Sequence, residues 1–145
     1  MKSFDGLLVL LLEDEYLIAL DAEQILKDLG VKHVEIVNTL VGAAACAAEG
    51  RVGLAVLDIN INGEMSFGVA EAFHRQGVPV VFATGYEMRK RQMPEVEIGV
   101  CLNKPYTVEG LKQAVLAAFA KAEQAQQRAA VELWPETPPD ASEAA

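Results

Sequence analysis

The apolar run Gly53-Leu54-Ala55-Val56-Leu57 delivers a carboxylate, Asp58, to its end, and Ile59-Asn60-Ile61-Asn62-Gly63 then breaks the pattern. A second run, Leu7-Leu8-Val9-Leu10-Leu11-Leu12, ends in Glu13-Asp14-Glu15. If the two are parallel neighbouring strands, at least three carboxylates meet at one sheet edge, where open α/β sheets place their ligands. Two unit charges about 4 Å apart repel by roughly 4 kcal/mol at an effective dielectric near 20. Such a cluster must hold a proton or a cation. An all-oxygen donor set favours a hard ion, and Mg²⁺ suits a site that also handles phosphate. Thr84, in Phe82-Ala83-Thr84-Gly85-Tyr86, and Lys104, in Leu102-Asn103-Lys104-Pro105-Tyr106, end two further apolar runs. In a parallel sheet Asp14, Asp58, Thr84 and Lys104 converge on one edge without any special loop. That set is sufficient for phosphoryl transfer. Asp58 would be the nucleophile and Mg²⁺ would bridge it to a phosphoryl oxygen, while Lys104 and the Thr84 hydroxyl would hold the remaining oxygens.

The elements that must position these residues are readable from periodicity. Leu17, Ile18, Ala22, Ile25, Leu26 and Leu29 recur at helical spacing, and Gly30 stops the helix. His33-Val34-Glu35-Ile36-Val37 reads as a short strand, and Asn38 or Thr39 caps an Ala-rich helix ending near Glu49. After the strand ending at Asp58, a helix fits Ser66 to Gln76, a fourth strand Val78 to Thr84 and a fifth Val100 to Asn103. The last helix starts near Thr107 and runs to or past Ala120. Five strands alternating with helices predict an α/β fold: a doubly wound parallel sheet in three α/β/α layers. The segment from Tyr86 to Gly99 fits least well. It groups Arg89, Lys90 and Arg91, holds Pro94 and shows no apolar stripe, so a helix there would be short or mobile. The expected organisation is one domain over residues 1–126 and an acidic extension over 127–145, the end of the last helix followed by a flexible tail.

At 145 residues the chain suits one domain with a real core. A net charge of −9 argues against nucleic acid as a partner, because phosphate-backbone affinity needs clustered Lys and Arg. The longest apolar run is too short to span a bilayer and no signal-peptide pattern precedes the acidic triplet, so the expected location is the cytoplasm, with no membrane partner. Cys46 and Cys101 lack metal or redox spacing and read as small core residues. His33 and His74 have no partner ligands in sequence, and Glu15 suits the first helix's N-terminal dipole better than a metal. Arg89-Lys90-Arg91 reads as a solvated face. Trp134, with Val131 and Leu133, would dock on the core or on another protein.

The pair Glu13-Asp14, the strand-end Asp58, the hydroxyl Thr84 and the pair Lys104-Pro105, in this order, resemble the receiver domain of bacterial two-component response regulators. The resemblance covers residues 5 to 125 and implies the flavodoxin-like strand order 2-1-3-4-5. It implies that Asp58 accepts phosphate from a sensor histidine kinase or a histidine phosphotransferase. Asp14 and Asp58 would hold Mg²⁺ with the Asn60 main-chain carbonyl, and Glu13 would act through water. Lys104 would pair with the acyl phosphate and Thr84 would swing toward it as the switch. The stretch Val78 to Tyr86 also resembles a subgroup of single-domain receivers, linked to general stress signalling, with a Pro-Phe-x-Phe-Ala-Thr-Gly-Tyr signature. Val80 stands where that signature has Phe. Most receivers carry an aromatic residue three positions before the lysine, and here that position is Cys101. Tyr86 is the expected substitute, with Gly85 giving its backbone room and the following segment ordered by phosphate.

The resemblance implies a stand-alone response regulator, monomer or weak dimer, that catalyses only its own phosphorylation and dephosphorylation. Its output would be contact with a downstream regulator protein, phosphate relay or a phosphate sink. Two rivals use the same residues. A Mg²⁺-dependent phosphohydrolase needs more carboxylates or a general acid than Asp58-Ile59-Asn60 supplies. A phosphorylation-independent interaction module is favoured by Cys101 at the switch position and opposed by the intact Asp58, Thr84 and Lys104. Nucleotide binding is a poor fit, because three acids follow the first strand where a Gly-rich loop would be needed.

Overall fold

A computed structural model describes residues 4–85 and 92–133 of the chain. The apolar runs become strands β1 (Leu8–Leu12), β2 (His33–Val37), β3 (Leu54–Asp58), β6 (Val80–Thr84) and β7 (Val100–Asn103), with a two-strand hairpin, β4 (Asn60–Ile61) and β5 (Glu64–Met65), inserted after β3. The helices are α1 (Tyr16–Asp28), α2 (Leu40–Glu49), α3 (Phe67–Arg75) and α4 (Val108–Leu133), and Pro94–Ile98 forms a 3-10 turn. The main sheet is wholly parallel in the order β2-β1-β3-β6-β7, the flavodoxin-like order expected once the small hairpin is set aside.

Every residue of β3 and β6 is buried because both faces of the sheet are covered. Alternate residues feed two cores. Leu10, Leu12, Ala55, Leu57, Val80 and Phe82 pack with Ala43, Ala47, Ala70 and Phe73 of α2 and α3. Val9, Leu11, Leu54, Val56 and Val81 pack with Ala19, Ala22 and Leu26 of α1 and Leu111, Ala114 and Val115 of α4. Thr39 caps α2 by accepting from the Gly42 N–H at 3.0 Å, which settles the choice between Asn38 and Thr39.

Several expectations need correction. Leu17 is 77% exposed, because the buried stripe of α1 is centred on Ala19, Ala22 and Leu26 instead. Cys46 is buried, but Cys101 lies exposed on β7, an edge strand whose residues alternate between covered and open. The last helix, by contrast, runs past Ala120 as expected and continues to Leu133 on good helix formers. Val131 and Leu133, 73% and 86% exposed, do not dock on the core, and Trp134 lies outside the described residues. The basic run Arg89-Lys90-Arg91 is also outside them. Among the described residues no helix is long and apolar enough to cross a membrane.

Candidate functional site

β1 and β3 run parallel with Leu12 beside Leu57, so the residues that follow them emerge at the same sheet edge. Glu13, Asp14 and Asp58 each offer a carboxylate oxygen there, and these atoms lie within 4.8 Å of one another. Lys104 reaches them from the end of β7, where its N–H donates to the Thr84 carbonyl at 2.9 Å. Its Nζ donates to Glu13 Oε1 and to Asp58 Oδ2, both at 2.8 Å. One ammonium thus divides its charge between two buried carboxylates.

The other oxygens of Glu13 and Asp58, and one of Asp14, are held by main chain. Glu13 Oε2 accepts from the Glu15 N–H at 3.3 Å, and Asp58 Oδ1 accepts from the Asn60 N–H at 3.2 Å. Asp14 Oδ2 accepts from the Asn62 N–H at 3.0 Å. Burial pushes the Glu13 carboxyl up to about 7, with the Asp58 charge adding to it against the lowering hydrogen bond from Lys104. For Lys104 burial opposes the charged form, but its bonds to Asp58 and Glu13 outweigh it and the pKa is raised. Three carboxylates against one ammonium leave an anionic, all-oxygen site of the kind that fits Mg²⁺. A cleft of about 240 Å³ lined by Glu13, Asp14, Tyr16, Ile36 and Asn38 opens beside it. A larger one, about 570 Å³ between the end of α3 and α4, lies at the opposite sheet edge, away from these acids.

The described residues expected to act as the switch are not drawn into the cluster. Thr84 is buried at the end of β6, yet its hydroxyl donates away from Asp58, to Asn103 Oδ1 at 3.2 Å and the Leu102 carbonyl at 3.5 Å. Cys101 is on the exposed side of β7. Gly85 closes β6, and Tyr86 lies outside the described residues.

Three features escaped the sequence reading. The chain after Asp58 is a hairpin whose loop residues, Asn62 (φ 52°) and Gly63 (φ 88°), both take the positive φ that a two-residue turn of this hand requires. The Asn-Gly pair was the signal, and the turn is what brings the Asn62 N–H onto Asp14. Ser66, fully buried, donates from Oγ to the Asp58 main-chain carbonyl at 2.7 Å. Tyr106 buries a hydroxyl with no hydrogen-bond partner among the described residues, and burial, then the charges of Glu13 and Asp58, raise its pKa.

The geometry can be set beside known proteins. A family model described as response regulator receiver domain matches residues 9–116. No match is found among curated proteins. Among solved structures, SdrG from Sphingomonas melonis Fr1 is 37% identical, with 79% of this chain and 96% of that chain covered and a TM-score of 0.69. The response regulator PhyR from Brucella abortus is 29% identical over 84% of this chain and 51% of its own, at a TM-score of 0.65. A response regulator receiver protein from Sinorhizobium medicae WSM419 is 25% identical over 83% and 99%, at 0.68. The family match takes in the acidic edge, Thr84 and Lys104 and spans well over half of the sequence, so the chain belongs to the response regulator receiver domain family.

Proposed function

We propose that this receiver accepts a phosphoryl group on Asp58 and signals through protein contacts that the phosphorylated form makes. The observation that carries the reading is Lys104 Nζ, 2.8 Å from both Glu13 and Asp58 beside a third carboxylate. An Asp58 oxygen attacks the phosphorus of a phosphohistidine or a small acyl phosphate. A new O–P bond forms, the bond from phosphorus to the donor breaks, and its electron pair leaves with the imidazole or carboxylate. Bound Mg²⁺ supplies charge neutralisation and orientation of the phosphoryl oxygens. Glu13, Asp14, Asp58 and the Asn60 carbonyl are the residues that would hold it.

Lys104 meanwhile exchanges one carboxylate partner for a phosphoryl oxygen, so its positive charge stays compensated throughout. Thr84 gives up two long contacts and donates to the new oxygens. That rotation is inexpensive because the bonds lost are poor ones. Residues 1–126 form the receiver unit and 127–145 the acidic extension. The donor is a sensor histidine kinase or a histidine phosphotransferase, and the output goes to a downstream regulator protein in the cytoplasm. The Phe82-Ala83-Thr84-Gly85-Tyr86 stretch supports a place in general stress signalling. The chain turns over no separate substrate. Cys101, exposed where receivers usually carry an aromatic switch, favours a second reading in which partner binding needs no phosphate.

Intact mass after incubation with Mg²⁺ and acetyl phosphate or a cognate kinase, beside Asp58→Asn, tests the proposal. One added phosphoryl that the variant lacks is the expected result. No addition with either donor overturns it in favour of the phosphate-independent module.

A further inference from the structure

Ser66 stands at the N-cap of α3, where a serine ordinarily turns its oxygen back to accept from the free N–H groups of the first turn. It makes no such bond. Its hydroxyl, in a residue 0% exposed, donates to the Asp58 carbonyl instead. Two main-chain bonds act alongside it. The Ser66 N–H donates to the Ile59 carbonyl at 2.8 Å, and the Ile59 N–H donates to the Ala83 carbonyl at 3.1 Å. The peptide leaving Asp58 is therefore clamped from both sides, and the hairpin between Asn60 and Met65 is closed onto the strand end by the Ser66 hydroxyl together with its N–H. The Asn60 N–H that orients Asp58 Oδ1 belongs to the same turn.

We propose that Ser66 is a positioning residue for phosphoryl acceptance: it gives up the cap of α3 to hold the Asp58 main chain, so that the carboxylate presents its oxygens to Lys104 and to the attacking geometry. The proposal rests on Asp58 being the acceptor. Ser66 makes no hydrogen bond to the carboxylate or to Lys104, so its removal alters the alignment of the nucleophile and leaves the charges of the site intact. Nucleophiles displaced by a fraction of an ångström to 1 Å lose rate steeply.

The test follows acyl-phosphate formation by intact mass across acetyl phosphate concentrations, with saturating Mg²⁺, each variant held well below its own melting temperature. Ser66→Ala is expected to lower the maximal rate by roughly tenfold without moving the half-saturating donor concentration. Ser66→Thr, which keeps the donor, recovers most of that rate. A structural role alone would lower the melting temperature of Ser66→Ala and leave the maximal rate of the folded protein at the wild-type value, which overturns the proposal. If Ser66→Ala does not fold, Ser66→Cys fills the same space with a weaker donor, and a wild-type rate from it likewise overturns the proposal. A wild-type protein that takes no phosphoryl from any donor is a different outcome: it removes the Asp58 reading itself, and this inference falls with it.

Discussion

On the β1 and β3 side of the sheet edge, Glu13 and Asp58 have both carboxylate oxygens engaged and Asp14 is tied to the hairpin turn. On the β6 and β7 side, the Thr84 hydroxyl rests on contacts of 3.2 and 3.5 Å, and Cys101 stands open on an edge strand. The two sides sit next to each other and belong to one parallel sheet, so backbone architecture does not cause the difference. Charge does. Buried carboxylates must be compensated, and that requirement fixes Lys104, Asn60 and Asn62 in place. A buried neutral hydroxyl has no comparable demand and can exchange one acceptor for another at little cost. The side that would carry the chemistry is thereby prepared in advance, and the side that would report it is free to respond.

Removing Lys104 should break this contrast most strongly. Lys104→Ala leaves Glu13 and Asp58 facing one another without a counter-charge, and stability in chelator is expected to fall by about 3 kcal/mol in chemical denaturation. Added Mg²⁺ should recover much of the loss if the three carboxylates hold it. A loss as small as that of a surface ion pair, under about 1 kcal/mol, would mean the acidic side is no tighter than the switch side.

Glu13 sharpens the same point through pH. Its pKa in the fold is pushed up to about 7, from an ordinary value of 4.5, first by burial. The folded state therefore binds the proton more tightly than the unfolded chain. The contribution is fully present below about pH 4.5 and is lost as pH rises through about 7. In chelator the wild type should lose about 2–3 kcal/mol over that window relative to Glu13→Gln, whose profile is flatter. Parallel profiles for the two proteins would show that Lys104 compensates Glu13 completely.

The strands were legible because burial on both faces forces unbroken apolar runs, their order only through the resemblance to receiver domains, and the acids, Thr84 and Lys104 because a parallel sheet aligns its strand ends. What escaped depends on contacts that no periodicity encodes. Ser66 reads as the first residue of a helix, and only the fold shows it at the N-cap with its hydroxyl diverted to Asp58. The Asn62-Gly63 turn has a sequence signal in its Asn-Gly pair, but the strands it joins are two residues each and too short to show an alternation. Leu17 fits the helical spacing and is nonetheless exposed, because helix α1 buries small alanines against the sheet and turns that residue outward. The orientation of the Thr84 hydroxyl follows from Asn103 across the ladder, a pairing that exists only once β6 and β7 are in register.

Thr84→Val should cost less than any change on the acidic side. Two long hydrogen bonds are lost and the methyl groups retain the packing, so a decrease of about 1 kcal/mol is expected. Phosphoryl acceptance at Asp58 should persist in this variant while partner binding that depends on phosphorylation weakens, measured by comparing intact mass with binding of a purified downstream partner. Loss of both together would place Thr84 among the groups that hold the acceptor rather than among those that respond to it.

Tyr106 offers the smallest and most discriminating effect. It follows Lys104-Pro105, and its hydroxyl is buried without a hydrogen-bond partner among the described residues. A buried polar group left without a hydrogen bond costs the folded state about 1–3 kcal/mol in the general case, and the ring that carries the hydroxyl packs against the core beneath α1 and α4. Tyr106→Phe removes the oxygen and keeps the ring. The metal-free protein should therefore gain up to about 1 kcal/mol, seen as a higher melting temperature. A loss instead would mean that the hydroxyl is bonded in solution, and the tight network on the acidic side would then extend past Lys104 into the start of α4. Tyr106 would then belong to the tight side of the sheet edge.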